Sequence, residues 1–193
     1  MTHPQTRPSL LERLRDTADA DAWVRFESAY GDLVLRYCAR RGMQASDADD
    51  VRQIAFLKLM RSLQGFRYDR GRGRFRDYFY QVVRSAIADR AAGRREAPGD
   101  LASTVIEPAE IDEAWRQEWE QFHLQRAWTS LERAVEPRTL EVFRRLLDGA
   151  SVREAARQFD MAEDAVEKIR QRVRSRLRER IEQQVREEDG DAP

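Results

Sequence analysis

Apolar residues return every three or four positions through almost the whole chain, and the pattern lapses over one short loop and one long stretch, EAPGDLASTVIEPAEID at residues 96–112. That spacing lines side chains along one face of a helix, so the chain can bury its apolar surface only by packing helix on helix. Nine glycines and six prolines in 193 residues leave few interior helix breakers. The expected fold is all-α, two small helical domains joined by a linker. The boundaries read as 1–97 for the first domain, 98–114 for an acidic linker, 115–186 for the second domain and 187–193 for a disordered tail, with fraying expected from residue 182.

Within the first domain the pattern predicts helices over 9–16, 19–41, 47–63 and 75–95. The second carries Trp23, Phe26, Tyr30, Leu33, Val34 and Tyr37 on one face and ends at Gly42. Ser46 is placed to cap the third, whose acidic first turn suits the positive end of the helix dipole. In the fourth, Phe75, Phe79, Val82, Val83, Ala86 and Ile87 form the face to be buried. Arg76, Tyr80 and Arg84 then fall four residues apart on what reads as the solvent side, a cation, a ring and a cation suited to a phosphate backbone with a base beside it. Most charged helix faces are merely solvated, so this row alone decides nothing.

The charges are segregated. Lysine plus arginine and aspartate plus glutamate each total 35, so no global field draws the protein to nucleic acid. From Arg61 to Arg95, however, there is no lysine or glutamate and arginine dominates, whereas Asp100 to Glu120 is mostly acidic. Cys38 is the single cysteine, which excludes an intramolecular disulfide and a thiolate metal cage and points to a reducing compartment. The N-terminus lacks the apolar core of a signal peptide and no stretch has the length of a membrane span, so a cytoplasmic location is expected.

In the second domain, helices are predicted over 112–135 and from Pro137 to about Asp148. Residues 152–171, VREAARQFDMAEDAVEKIRQ, then fit a helix-turn-helix. Ala156 is the small residue where two helices cross, and Asp160 occupies the turn position that favours a left-handed backbone. Phe159, Met161, Val166 and Ile169 are the apolar residues around it. A plain helical hairpin satisfies the same pattern. The following KIRQRVRSRLRER repeats Ile169, Val173, Leu177 and Ile181 every four positions with arginine between, which suits a long basic recognition helix.

With both halves in view the chain resembles bacterial sigma factors of the extracytoplasmic-function type. DADDVRQIAF at 47–56 is similar to that family's D-A-E-D-x-x-Q-x-x-F. FRDYFYQVVRSAIAD at 75–89 resembles F-R-x-W-L-x-x-I-A-R-N-x-x-x-D, and the helix-turn-helix within 139–181 follows in family order. The resemblance implies three contacts. Asp50, Gln53, Phe56, Leu57 and Met60 would dock on core RNA polymerase. The loop and helix from Phe66 to Arg95, with Arg74, Arg76, Tyr78, Tyr80, Arg84 and Ser85, would hold an unpaired −10 strand of promoter DNA. Glu163, Asp164, Glu167, Lys168, Gln171 and Arg172 would face the −35 duplex, the acids near the helix start either accepting from cytosine or capping the helix. It implies no cofactor and no metal, and an anti-sigma factor or a kinase as regulators. The acidic linker would thread the polymerase cleft or serve as a solvated tether. The chain departs from the family at Ile54, where an acid is frequent, at Tyr78 for tryptophan and at Ser85 for asparagine. Phosphorylation at Ser46 or Ser62 would replace the charge missing at Ile54.

Two rivals stand beside this reading. Catalysis has little to work with, since His3 lies near the terminus and His123 sits on a tryptophan-rich helix, with no phosphate-binding glycine loop or metal-spaced pair. A stand-alone helix-turn-helix regulator, with the first domain as a dimerisation or partner module, would not need the arginine and aromatic helix of residues 75–95.

Overall fold

The computed structural model describes residues 13, 14, 16, 18–63, 74–93 and 111–188, and among these it contains helices and no strand. The helices are α1 (Ala20–Arg40), α2 (Ala45–Leu63), α3 (Phe75–Ala91), α4 (Glu113–Glu132), α5 (Pro137–Leu147), α6 (Val152–Phe159) and α7 (Glu163–Glu188). They fall into two compact units, residues 1–120 with 186–193, and residues 121–185. The expected helix over 9–16 lies mostly outside the described residues.

In unit one each helix begins and ends for a local reason. Asp19 caps α1 by accepting the Ala22 N–H at 3.0 Å. Gly42, at a φ of 77°, turns the chain out after it, a conformation that costs glycine nothing. The start of α2 corrects the sequence reading: the helix opens at Ala45, with Ala48 N–H bonded to the Gln44 carbonyl at 2.9 Å, so Ser46 lies inside the first turn and does not cap it. The segment after α3 likewise turns at Gly93, with a φ of 69°, two residues before the end expected at Arg95.

The core of unit one is aromatic. Phe26 has no exposed surface and stacks on Tyr30 at 4.3 Å between centroids. It meets Phe56, Phe75 and Phe79 edge-on at 5.5, 6.1 and 5.8 Å. Val51, Ala55 and Leu59 of α2 and Val82, Val83 and Ala86 of α3 close around it. A charged pair is buried at the α2 and α3 seam: Lys58 pairs with Asp89 and donates to the Ser85 hydroxyl at 2.6 Å.

Unit two is built on Leu131, Val142, Phe143, Ala155, Ala156, Val166, Ile169 and Val173, with Phe159, Met161 and Leu177 packed around them. Ser151 and Glu154 form a reciprocal capping box that starts α6. The turn bears out the sequence reading: Asp160 is left-handed, at φ 51° and ψ 58°, and Ala156 is buried. At the other end, α7 remains helical through Glu188, which corrects the expectation of fraying from residue 182. Unit two starts at Gln121 because Trp115, Glu118 and Trp119 are buried in unit one.

The buried pair sets a stability test. Lys58→Ala strands the Asp89 carboxylate and should cost about 3–5 kcal/mol in urea unfolding, whereas Lys58→Met with Asp89→Leu removes both charges and should cost far less. In the turn, Asp160→Gly should leave thermal stability equal or higher. Asp160→Val should lower it by about 1–2 kcal/mol, because a branched side chain opposes the left-handed backbone.

Candidate nucleic-acid interface

The residues expected to make contacts lie on three helices, α2, α3 and α7. On α2, Leu57 is 51% exposed and Gln53 is exposed, while Ile54, Phe56 and Met60 are half-buried, which leaves an apolar ridge on the outer face of unit one. Asp50 is not free on this ridge. Its carboxylate pairs with Arg90 of α3 at 2.9 Å, and Arg90 also holds Asp47 at 2.5 Å. Asp49 accepts from Gln53 at 2.9 Å and from Arg52, and these bonds hold its carboxyl below the usual range. Ser46 is exposed, but Ser62 is buried, donating to the Leu59 carbonyl at 3.0 Å and bonded to Tyr78, so the modification considered there has no accessible hydroxyl.

On α3 the structure corrects the expected row. Arg74 and Arg84 are exposed and Arg76 and Ser85 half-buried, but Tyr80 is 2% exposed and Tyr78 7%. Tyr78 points into the α2 and α3 seam, where burial raises its phenol above the ordinary value despite the Ser62 bond. Tyr80 is covered by the start of α4. Its ring lies 5.6 Å from Trp115 and 6.3 Å from Tyr37, and its hydroxyl accepts the Asp112 N–H at 3.2 Å. Arg84 rests over the Tyr80 ring at 5.6 Å from its centroid, close enough for a cation–π attraction. The i, i+4 spacing is as read, but a third segment occupies the side taken for solvent. The loop over 64–73 and the linker residues 98–110 lie outside the described residues.

The segment that covers Tyr80 is tied down by charge. Asp112 caps α4 by accepting the Trp115 N–H at 2.8 Å, and its other oxygen accepts from the Tyr37 hydroxyl at 2.6 Å and from Arg41 at 3.0 Å. Burial alone would raise the Asp112 carboxyl, but these three donors together hold it below 3.8. Burial, together with the bond to Asp112, raises the Tyr37 phenol. One turn on, Glu118 is buried with Arg36 and Arg40 on its two oxygens, each at 2.9 Å. Sequence reasoning missed this contact because a residue spaced 71 to 82 positions away leaves no periodic trace; the only signal was tryptophan and acid together at 112–119.

On α7, Lys168, Gln171 and Arg172 are exposed and share a shallow surface with Ser175, Arg176 and Glu179, a full turn beyond the residues expected. Glu163 and Asp164 lie in the first turn, where acids complement the dipole. Glu167 accepts from Arg170 at 2.8 Å and from Gln171 at 3.1 Å, and the Arg170 bond leads in holding its carboxyl low. No helix among the described residues is long and apolar enough to cross a membrane.

Residues 28–96, which run from the middle of α1 to just past α3, match the model of sigma-70 region 2. That match takes in about a third of the chain. Its similarity to the extracytoplasmic-function type continues past region 2: the chain is 26% identical over 162 residues to the ECF RNA polymerase sigma factor BldN of Streptomyces coelicolor. That alignment takes in 83% of this chain and 60% of the relative's length. No solved structure matches the chain. The matched stretch thus takes in α2 with its ridge and Tyr30, Phe56, Phe75 and Phe79 of the aromatic core, and starts just after Phe26.

The carboxyl of Asp112 sets a pH expectation. Its folded-state value is depressed, so the stability it gives is present above the ordinary 3.8 and is lost as pH falls through the depressed value. Tryptophan emission, followed as acid is added below pH 3.8, should shift to the red as Trp115 is uncovered. Asp112→Asn should show part of that shift already at neutral pH and a weaker acid dependence.

Proposed function

We propose that the chain is an RNA polymerase sigma factor that directs promoter-specific initiation in the cytoplasm. The carrying observation is that a sigma-70 region 2 stands in one chain with a helix-turn-helix whose second helix is exposed and basic. In this reading the α2 ridge of Gln53, Phe56, Leu57 and Met60 meets core polymerase, with Asp50 shared between that contact and Arg90. Leu57 supplies the exposed apolar anchor that such an interface needs.

The arginines of α3, Arg74, Arg76 and Arg84, with Ser85 and Tyr80, hold the unpaired −10 strand. Unstacking a base costs a few kcal/mol, which aromatic stacking and phosphate pairing offset. Unit two presents the N-terminal turns of α7 to the −35 duplex. Lys168, Gln171 and Arg172 are the contacts with free reach, and Arg176 extends the phosphate grip by a turn. Glu163 and Asp164 serve as first-turn charges, and Glu167 orients Gln171. The protein acts as a regulatory subunit and supplies no catalytic group. Ser46 is the accessible site for a kinase, and an anti-sigma factor would compete for the α2 ridge.

The test is transcription by bacterial core polymerase on a pool of random promoter-like duplexes, with and without this protein. Protein-dependent initiation with two enriched elements is expected. Duplex binding without initiation or core binding would favour a stand-alone regulator. Arg172→Ala should weaken duplex binding and reduce the slope of log affinity against log salt by about 1 if Arg172 meets a phosphate.

A further inference from the structure

We infer that residues 112–119 are an internal mimic of single-stranded DNA, seated on the nucleic-acid groove of unit one and displaced when a strand binds; the inference rests on the sigma-factor reading above. The segment supplies the chemistry of a strand in the order a strand would. Asp112 and Glu118 place two anionic groups on Arg41 and on Arg36 with Arg40. Between them Trp115 lays a flat ring against Tyr80, tilted by 41°. Arginine forks take carboxylates and phosphates alike, and an exposed tyrosine ring stacks an indole or a base alike. The same residues therefore define a groove for anion, aromatic and anion, lined by Arg36, Arg40, Arg41, Tyr80 and Arg84.

Two observations fit a segment meant to leave. Trp115 Nε1 and Arg36 Nη2 are buried with no acceptor among the described residues, so docking forfeits hydrogen bonds that water restores on release. Although Glu118 itself is buried, two of its anchoring cations sit at the edge of the contact, with Arg40 and Arg41 at 43% and 47% exposed side chains, where an incoming polyanion can reach them. While the segment is seated, Tyr80 has no face for a base. The protein free of polymerase should therefore bind single strands weakly. This arrangement would also guard against binding stray nucleic acid in a cell.

The experiment uses the full chain and a fluorescein-labelled, AT-rich single-stranded 15-mer. Hydrogen exchange at 113–119 is followed alongside binding, in the wild type and in Asp112→Asn with Glu118→Gln. Loss of amide protection in that segment when the strand binds, at least tenfold tighter binding by the double variant, and loss of that gain on adding Tyr80→Ala are expected. Amides that stay protected in the DNA complex, or a gain that survives Tyr80→Ala, would overturn the mimic while leaving the sigma reading standing. If neither protein binds the strand although the variant's amides have opened, the assignment of single-strand binding to unit one itself fails, and the mimic with it.

Discussion

Unit one depends on a single ring. Phe26 lies where α1, α2 and α3 converge, and its contacts with Tyr30, Phe56, Phe75 and Phe79 are edge-on or stacked at 4.3 to 6.1 Å. Aromatic pairs in such geometry add about 0.5–1.5 kcal/mol each beyond the area they bury. Their directionality matters as much as their strength. An aliphatic core would tolerate helices that rotate about their axes, whereas these rings fix which faces of α2 and α3 turn outward. The Leu57 ridge and the arginines of α3 are where they are because Phe56 and Phe79 face Phe26.

Unit two reaches its shape by a different constraint, a backbone one. Its turn has three residues between α6 and α7, and only a left-handed Asp160 allows Met161 to fold back, with its N–H on the Ala156 carbonyl at 2.9 Å. Ala156 presents only a methyl group to that return. The capping box at Ser151 and the Arg138 bond to the Phe159 carbonyl at 2.9 Å hold α6 from both ends. A short helix of eight residues would be marginal alone, and these contacts supply what its length does not.

The helices themselves were legible because each carries its own periodic stripe and its own punctuation. Gly42, Pro137 and Asp160 mark ends that the structure keeps. The exact start of α2 was not, since serine looks like a cap wherever it precedes an apolar run, and here the first helical bond already runs from Ala48 to Gln44, which puts Ser46 inside the helix. The site was read less well for a physical reason. Spacing along one helix tells which residues share a face, but not what lies on that face. Tyr80 shares a side with Arg76 and Arg84, as its spacing implies, yet Asp112 and Trp115 cover it from 32 and 35 residues away. Tyr78, by contrast, was placed with the arginines although its neighbours in the stripe already pointed inward.

The Lys58, Ser85 and Asp89 cluster has a mechanical consequence. A charged pair under apolar cover has one geometry that satisfies it, and sliding α2 against α3 by even part of a turn would leave both charges stranded. Arg90, gripping Asp47 and Asp50, pins the same seam at its outer end. The two helices are thus bolted together at two points and transmit force as one piece. Whatever takes hold of the outer face of α2 also steers α3.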